Sequence, residues 1–227
     1  MRKPSPLQIY QLLYKVYGPQ YWWPADKPFE VMVGAILTQN TSWTNVEMAI
    51  NNLKAKKMLH YASIASSNHE QLAEVIRPSG FFNQKSDLLQ RFSLFYMNQG
   101  KTSGLKKWPK STLRKQLIDI SGIGPETADS ILLYALDKPV FVVDAYTRRI
   151  FTRLGLLPDK IDYDGIQNYF QQRLAPSLLM FQEYHALIVE HAKRHCRPKP
   201  VCDNCPLHTI CATARQDSMP SENSLTA

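Results

Sequence analysis

The chain of 227 residues has no uninterrupted apolar run approaching the roughly 18 residues of a membrane-spanning helix, so no span is expected. Its first residues, Met1-Arg2-Lys3-Pro4-Ser5-Pro6, lack the apolar stretch of a secretory signal, which predicts a cytoplasmic protein. Cysteine is scarce. Only four occur, all between Cys196 and Cys211. A disulfide framework would spread its cysteines through the fold, so this crowding points to metal binding instead. Internal repeats and low-complexity tracts are missing, and no stretch sustains the polar–apolar alternation of a strand. Acidic residues are in deficit: 19 Asp and Glu stand against 27 Lys and Arg, a formal charge of +8. Such a balance favours a polyanionic partner, although it also serves solubility.

What is present reads as helix. Leu7, Ile9, Tyr10, Leu12, Leu13, Val16 and Tyr17 follow helical spacing across residues 6–17. A polar, aromatic loop is expected over 18–28, then a buried helix over 29–37 and an amphipathic one over 45–57. Shorter helices are expected at 61–65 and 70–76, a longer one at 81–98, and a Gly- and Lys-rich loop at 100–110. Further helices are placed at 111–118, 127–136, 144–154, 165–174 and 178–195. The polar tail from Ala214 to Ala227 reads as disordered.

Two local features carry the chemistry. The helix-forming run 111–118 stops at Ser121-Gly122-Ile123-Gly124, and Pro125 then suits the first position of a new helix. Two glycines one residue apart permit positive φ and close approach of another backbone, and Ile123 can plug the turn into the core. The free N–H groups of the turn and helix start make an anion site. About one helix later, Asp144 lies in Phe141-Val142-Val143-Asp144-Ala145-Tyr146. An aspartate at a helix start is ordinarily an N-cap.

Together, the G-I-G turn, Pro125, Thr127-Ala128 and Asp144 resemble the helix-hairpin-helix DNA glycosylases of the endonuclease III superfamily. The resemblance runs from about Phe29 to Cys211. It implies an all-α fold of two helical lobes with a helix-hairpin-helix and a C-terminal four-cysteine iron–sulfur loop. The implied organisation places residues 1–28 with a terminal lobe, 29–136 in a central lobe holding the hairpin, 137–213 in the terminal lobe, and 214–227 in a tail. It further implies active-site residues in a cleft between lobes, with Gly122, Ile123, Gly124 and Thr127 gripping the DNA backbone. The implied catalytic aspartate is Asp144. Bifunctional members carry a lysine two residues after the second hairpin glycine, where this chain has Glu126. A carboxylate cannot form a Schiff base, so the expectation is a monofunctional glycosylase using water. Glu126 enters the catalytic set either as a substrate contact or as an acid favoured by the helix dipole.

The cysteines, Cys196, Cys202, Cys205 and Cys211, are spaced C-x5-C-x2-C-x5-C. Spacing alone allows one Zn²⁺ or one [4Fe–4S] cluster; the resemblance implies the cluster, ordering a basic loop (Arg194, Arg197, Lys199) against phosphates. His185, His191 and His195 share one predicted helix, and a metal site among them is rejected for want of an acidic partner.

Trp22-Trp23-Pro24, with Trp43 behind Thr38-Gln39-Asn40-Thr41, resembles the 3-methyladenine DNA glycosylase branch, where such residues sandwich the flipped base. The runs Glu126–Leu132 and Tyr184–Glu190 look like that branch as well. Adjacent tryptophans otherwise serve packing. An N3-methylated purine is cationic, so it gains cation–π energy between indoles and leaves readily. The resemblance implies that Gln39 fills the gap left by the extruded nucleotide and that Phe81 wedges the opposite strand. Phe82 is read as core, and Lys85, Lys106 and Lys107 as candidate backbone contacts. The expected partner is double-stranded DNA with a damaged base, met by a monomer in a prokaryotic cytoplasm. The competing readings are an endonuclease III-like enzyme for damaged or mismatched pyrimidines, and a non-catalytic DNA-binding module.

Overall fold

Helix boundaries follow from which residues can satisfy free backbone groups. In the computed structural model, which describes residues 3–22, 25 and 27–217, Ser5 and Gln8 close a capping box ahead of α1 (Pro6–Tyr17). Pro28 opens α2 (Pro28–Leu37), and the Ser42 side chain caps α3 (Trp43–Ala55). Next come α4 (Tyr61–Ser66), α5 (His69–Val75) under an Asn68 cap, and a 3₁₀ turn, Arg77–Ser79. They are followed by α6 (Phe82–Asn98), α7 (Lys101–Lys107) and α8 (Lys110–Ile118). Helix α9 (Pro125–Ser130) widens into a π-helical turn, Ile131–Ala135. Asp144, Asp162 and Ser177 cap α10 (Ala145–Arg153), α11 (Tyr163–Gln171) and α12 (Leu178–Arg194). A 3₁₀ turn, His208–Ile210, precedes α13 (Ala212–Asp217). Among the described residues there is no strand, so the fold is all-helical as the periodicity predicts.

Departures from the expected elements have local causes. The stretch 100–110 is not a loop, because α7 occupies most of it. Gly100 sits at φ 76° as its N-cap, and a Cβ on Gly104 would fall 1.9 Å from the Gln99 carbonyl oxygen. Both glycines are therefore demanded by a helix start packed on the end of α6. Residues 214–217, expected in the tail, belong to α13; residues 218–227 lie outside the described residues. Phe82 is half-buried rather than core, with the Arg77 guanidinium 5.0 Å from its ring centroid.

The chain divides into two compact units, Trp23–Val140 and Met1–Trp22 with Phe141–Ala227. In the first, Phe29 through Leu37 are all buried, so α2 is a central helix apolar on every side. Its one acid, Glu30, is held by Lys54 at 2.6 Å. In the second, Phe141 stacks on Phe170 at 3.9 Å between ring centroids, and Phe151 and Tyr184 meet Phe170 edge-on. The Tyr184 hydroxyl donates to the Pro6 carbonyl at 2.7 Å and so ties α12 to the start of α1.

Candidate active site and nucleic-acid interface

In the unit Trp23–Val140, α8 and α9 form a stiff hairpin. The Arg114 guanidinium grips the fully buried Asp129 carboxylate with two nitrogens, at 2.8 and 3.1 Å. Charge-assisted pairs of this forked geometry are directional as well as strong. Ile123 is buried between the glycines, as expected. The glycines serve different needs. Gly122 sits at φ 98° with a Leu88 methyl 3.1 Å from a would-be Cβ, whereas Gly124 has φ −87° and nothing within 4 Å of one. Positive φ is used only at Gly122. Gly124 leaves open space at the start of α9, where first-turn N–H groups have no intrahelical acceptor.

Gln39 belongs to the same assembly. Its Nε2 donates to the Gly122 carbonyl at 3.0 Å and to Thr127 Oγ1 at 2.9 Å, with Thr127 itself buried. Gln39, Phe81, Lys85 and Gly122 line one groove. Phe81 is 60% exposed at φ 45°, a left-handed conformation costly for an aromatic residue. Lys85 is not a surface residue: it is 3% exposed, and its Nζ donates to the carbonyls of Leu37 and Ser79 at 2.8 and 2.7 Å. Burial lowers its pKa to about 8. Lys106 pairs with Asp137. Glu126 is exposed in the first turn of α9. Trp43 is half-buried as the first residue of α3, its indole N–H donating to Glu47 at 2.8 Å.

The other unit holds Asp144. As N-cap of α10, its Oδ1 accepts from the Thr147 N–H at 2.7 Å and from the Thr147 hydroxyl at 2.8 Å. The second oxygen lies 3.5 Å from His185 Nε2, and both side chains are nearly buried. Burial pushes the carboxyl pKa up, but His185 and the two Thr147 donors outweigh it, and the net shift is downward. The edge of the Trp22 ring meets His185 at 5.0 Å between centroids. The segment leading to Trp22 is anchored on α12, because the Gln20 N–H donates to Glu183 at 2.7 Å. Trp22 and Asp144 thus both meet His185. Trp23 and Pro24 lie outside the described residues.

Sequence reasoning missed His185 as a partner of Asp144, which is distant in the chain. The available signal was a polar side chain on the buried face of α12, flanked by Tyr184 and Leu187.

Cys196, Cys202, Cys205 and Cys211 are free thiols that line one cavity together with Ile150, Leu154 and other apolar side chains. Among the described residues no three His, Cys, Asp or Glu side chains converge on a point suited to a single metal ion. A tetrahedral zinc would draw sulfurs to roughly 3.8 Å from one another, given Zn–S bonds of about 2.3 Å. Four thiols lining one cavity are a donor set that either a zinc ion or an iron–sulfur cluster could take. Arg153 organises the loop: Nη1 lies 3.4 Å from Cys196 Sγ and 2.6 Å from the Arg197 carbonyl, and Nη2 reaches Pro198. The basic residues expected to face phosphates are partly engaged elsewhere. Arg194 pairs with Glu190, and Arg197 Nε donates to the Lys193 carbonyl. His191 faces Tyr17 and Cys205, with its pKa lowered to about 4 by burial and by His195.

Comparison with known proteins accords with these parts. The description of HhH-GPD superfamily base excision DNA repair proteins matches residues 33–176. A provisionally named DNA repair glycosylase of Methanocaldococcus jannaschii is 52% identical over 207 residues, covering 90% of this chain and 94% of that protein. Endonuclease III of Sulfolobus acidocaldarius is 26% identical over 185 residues, covering 81% of each. The H. pylori 3-methyladenine DNA glycosylase bound to 1,N6-ethenoadenine superposes with a TM-score of 0.75 at 31% identity, covering 84% of this chain and 98% of that one. An endonuclease III trapped on DNA superposes at 0.80 with 19% identity, covering 95% of this chain and all of that one, a likeness of fold. With its hairpin, its capped aspartate and these relatives together, the chain belongs to the HhH-GPD superfamily of base excision DNA repair proteins and is a DNA glycosylase.

Proposed function

We propose that this chain is a monofunctional glycosylase that hydrolyses the N-glycosidic bond of alkylated purines of the 3-methyladenine kind in double-stranded DNA. The observation that carries the reading is Asp144, a nearly buried carboxylate with a depressed pKa, held by two Thr147 donors and His185 beside the Trp22 ring. As the bond breaks, its electron pair leaves with the base and positive charge builds on the sugar. A fixed anion stabilises that charge more in the transition state than before it. Water then adds at C1′ and gives up a proton, for which Asp144 is the acceptor. His185 acts as a positioning residue that keeps the second carboxylate oxygen in place.

A purine methylated at N3 departs as a neutral base, so no strong general acid is needed. Trp22 and Trp43, with Trp23 and Pro24, are assigned to the base pocket, where electron-poor rings gain from stacking on indole. Glu126 supports hydrolysis over strand cleavage, because the hairpin offers no amine there to form an imine. Gly122, Ile123, Gly124 and Thr127 are assigned to the DNA backbone, Gln39 to the vacated space and Phe81 to the opposite strand. The four cysteines are assigned to a [4Fe–4S] cluster, which supplies a structural cross-link when bound. A second reading, an endonuclease III-like enzyme for damaged or mismatched pyrimidines, draws on the four-cysteine loop and the Sulfolobus relative.

The test is a panel of duplexes, each with one lesion, scored for released base and followed by borohydride trapping. Release of 3-methyladenine without a trapped adduct supports the proposal. Release confined to thymine or oxidised pyrimidines, or strong trapping, would replace it with the second reading.

A further inference from the structure

Lys85 is a buried amine at the floor of a groove, and among the described residues no acid forms an ion pair with it. Burying an ammonium is costly, and a residue such as methionine would fill the same space without that cost. Its partners show what the charge does. The Leu37 carbonyl ends α2 and the Ser79 carbonyl ends the 3₁₀ turn, and such terminal carbonyls have no intrahelical donor. One ammonium thus joins two chain segments that are otherwise separate in sequence. Leu37 is followed two residues later by Gln39, and Ser79 two residues later by Phe81.

Both of these side chains line the groove that Lys85 underlies. Gln39 is held on its far side by Gly122 and Thr127, while Phe81 is held exposed in a left-handed backbone conformation. We propose that Lys85 is the positioning residue that sets the separation of Gln39 and Phe81, so that the two side chains enter a duplex as one preformed wedge. The inference rests on the proposed DNA-facing roles of those two residues. Unstacking a paired nucleotide costs a few kcal/mol, and a wedge already in place lowers the additional cost of ordering its parts.

The prediction separates opening from chemistry. Lys85→Met keeps the bulk and removes the donors. It is expected to reduce base release from a fully paired duplex on the order of ten-fold or more, as small misplacements do. On the same lesion placed opposite an abasic site, already unstacked, it should approach the native rate. Phe81→Ala serves as the reference, since it removes the wedge without touching Lys85. Equal losses on both substrates, or no loss on either, would overturn the role of Lys85. If Phe81→Ala shows no preference for the unstacked substrate, the wedge reading itself fails, and the inference falls with it. Should Lys85→Met not fold, Lys85→Gln, which keeps an N–H₂ donor of shorter reach, is read by the same ratio.

Discussion

At the scale of single residues, two buried ionisable groups define what can be measured. Asp144 both caps α10 and carries the proposed catalytic charge, and these roles can be parted. Asparagine caps a helix about as well as aspartate, so Asp144→Asn should fold, bind lesion DNA and lose roughly 10²–10³ in base release. A variant that still releases base at the native rate would remove Asp144 from the chemistry. Because its folded-state pKa is lowered, the stability it contributes is present above the ordinary carboxylate pKa of 3.8 and fades only as pH falls through the lower value. Lys85 runs the other way. Below pH 8 its amine is protonated in folded and unfolded chains alike, and the buried charge counts against folding. Between about 8 and 10.5 the folded chain has released the proton while the unfolded chain still holds it, so this group makes stability rise with pH. Urea midpoints of native protein and Lys85→Met should therefore diverge in favour of the native chain across that window. Parallel curves would mean an unshifted lysine. A neutral amine keeps two hydrogens for its two carbonyls, so the link survives the titration.

At the scale of elements, the hairpin was legible in sequence because its demands are local. A turn needing positive φ, a plug residue and a proline at the first helical position all fall within a few residues. What was not legible needed distant partners. His185 reads as one polar residue on a buried helix face until α10 brings Asp144 to it. Lys85 reads as a surface lysine until two helix ends supply its acceptors. Residues 100–110 read as a loop because glycine signals both turns and close packing, and only the neighbouring carbonyl of Gln99 decides between them. The two hairpin glycines turn this distinction into a test. Gly122→Ala must adopt φ 98° against Leu88 at 3.1 Å, and should cost about 1–2 kcal/mol of stability. Gly124→Ala meets no atom within 4 Å at ordinary φ, so its melting temperature should stay near native. Its methyl group would instead occupy the space proposed for a phosphate, and weaker DNA binding with unchanged stability is the expected signature. Undiminished affinity of a folded Gly124→Ala protein would show that no backbone approaches there.

At the scale of the molecule, the cysteine loop reaches well beyond its own residues. Arg153, the last residue of α10, donates to Cys196, Arg197 and Pro198, while its carbonyl accepts from Cys211 and Thr213. Arg149, one turn earlier, donates to the Cys196 carbonyl at 2.8 Å. The other end of the same helix is capped by Asp144. The loop and the proposed catalytic carboxylate are thus carried by opposite ends of one nine-residue helix. A cluster held by four thiolates would fix the Arg153 end, and its loss should loosen residues 196–217 first, since the cavity wall is largely that segment. Native protein should be brown and contain about four irons and four acid-labile sulfides per chain. Cys202→Ser should lose most of the visible absorption, melt at lower temperature and be cut by protease within 196–217 before the rest of the chain. Because Asp144 keeps its Thr147 cap within the first turn of α10, base release should fall through lost stability and DNA binding, with saturated single-turnover rates declining less than affinity. A colourless native protein with one zinc per chain would overturn the cluster assignment, and a Cys202→Ser protein whose saturated rate fell as far as that of Asp144→Asn would show that the loop governs the carboxylate directly.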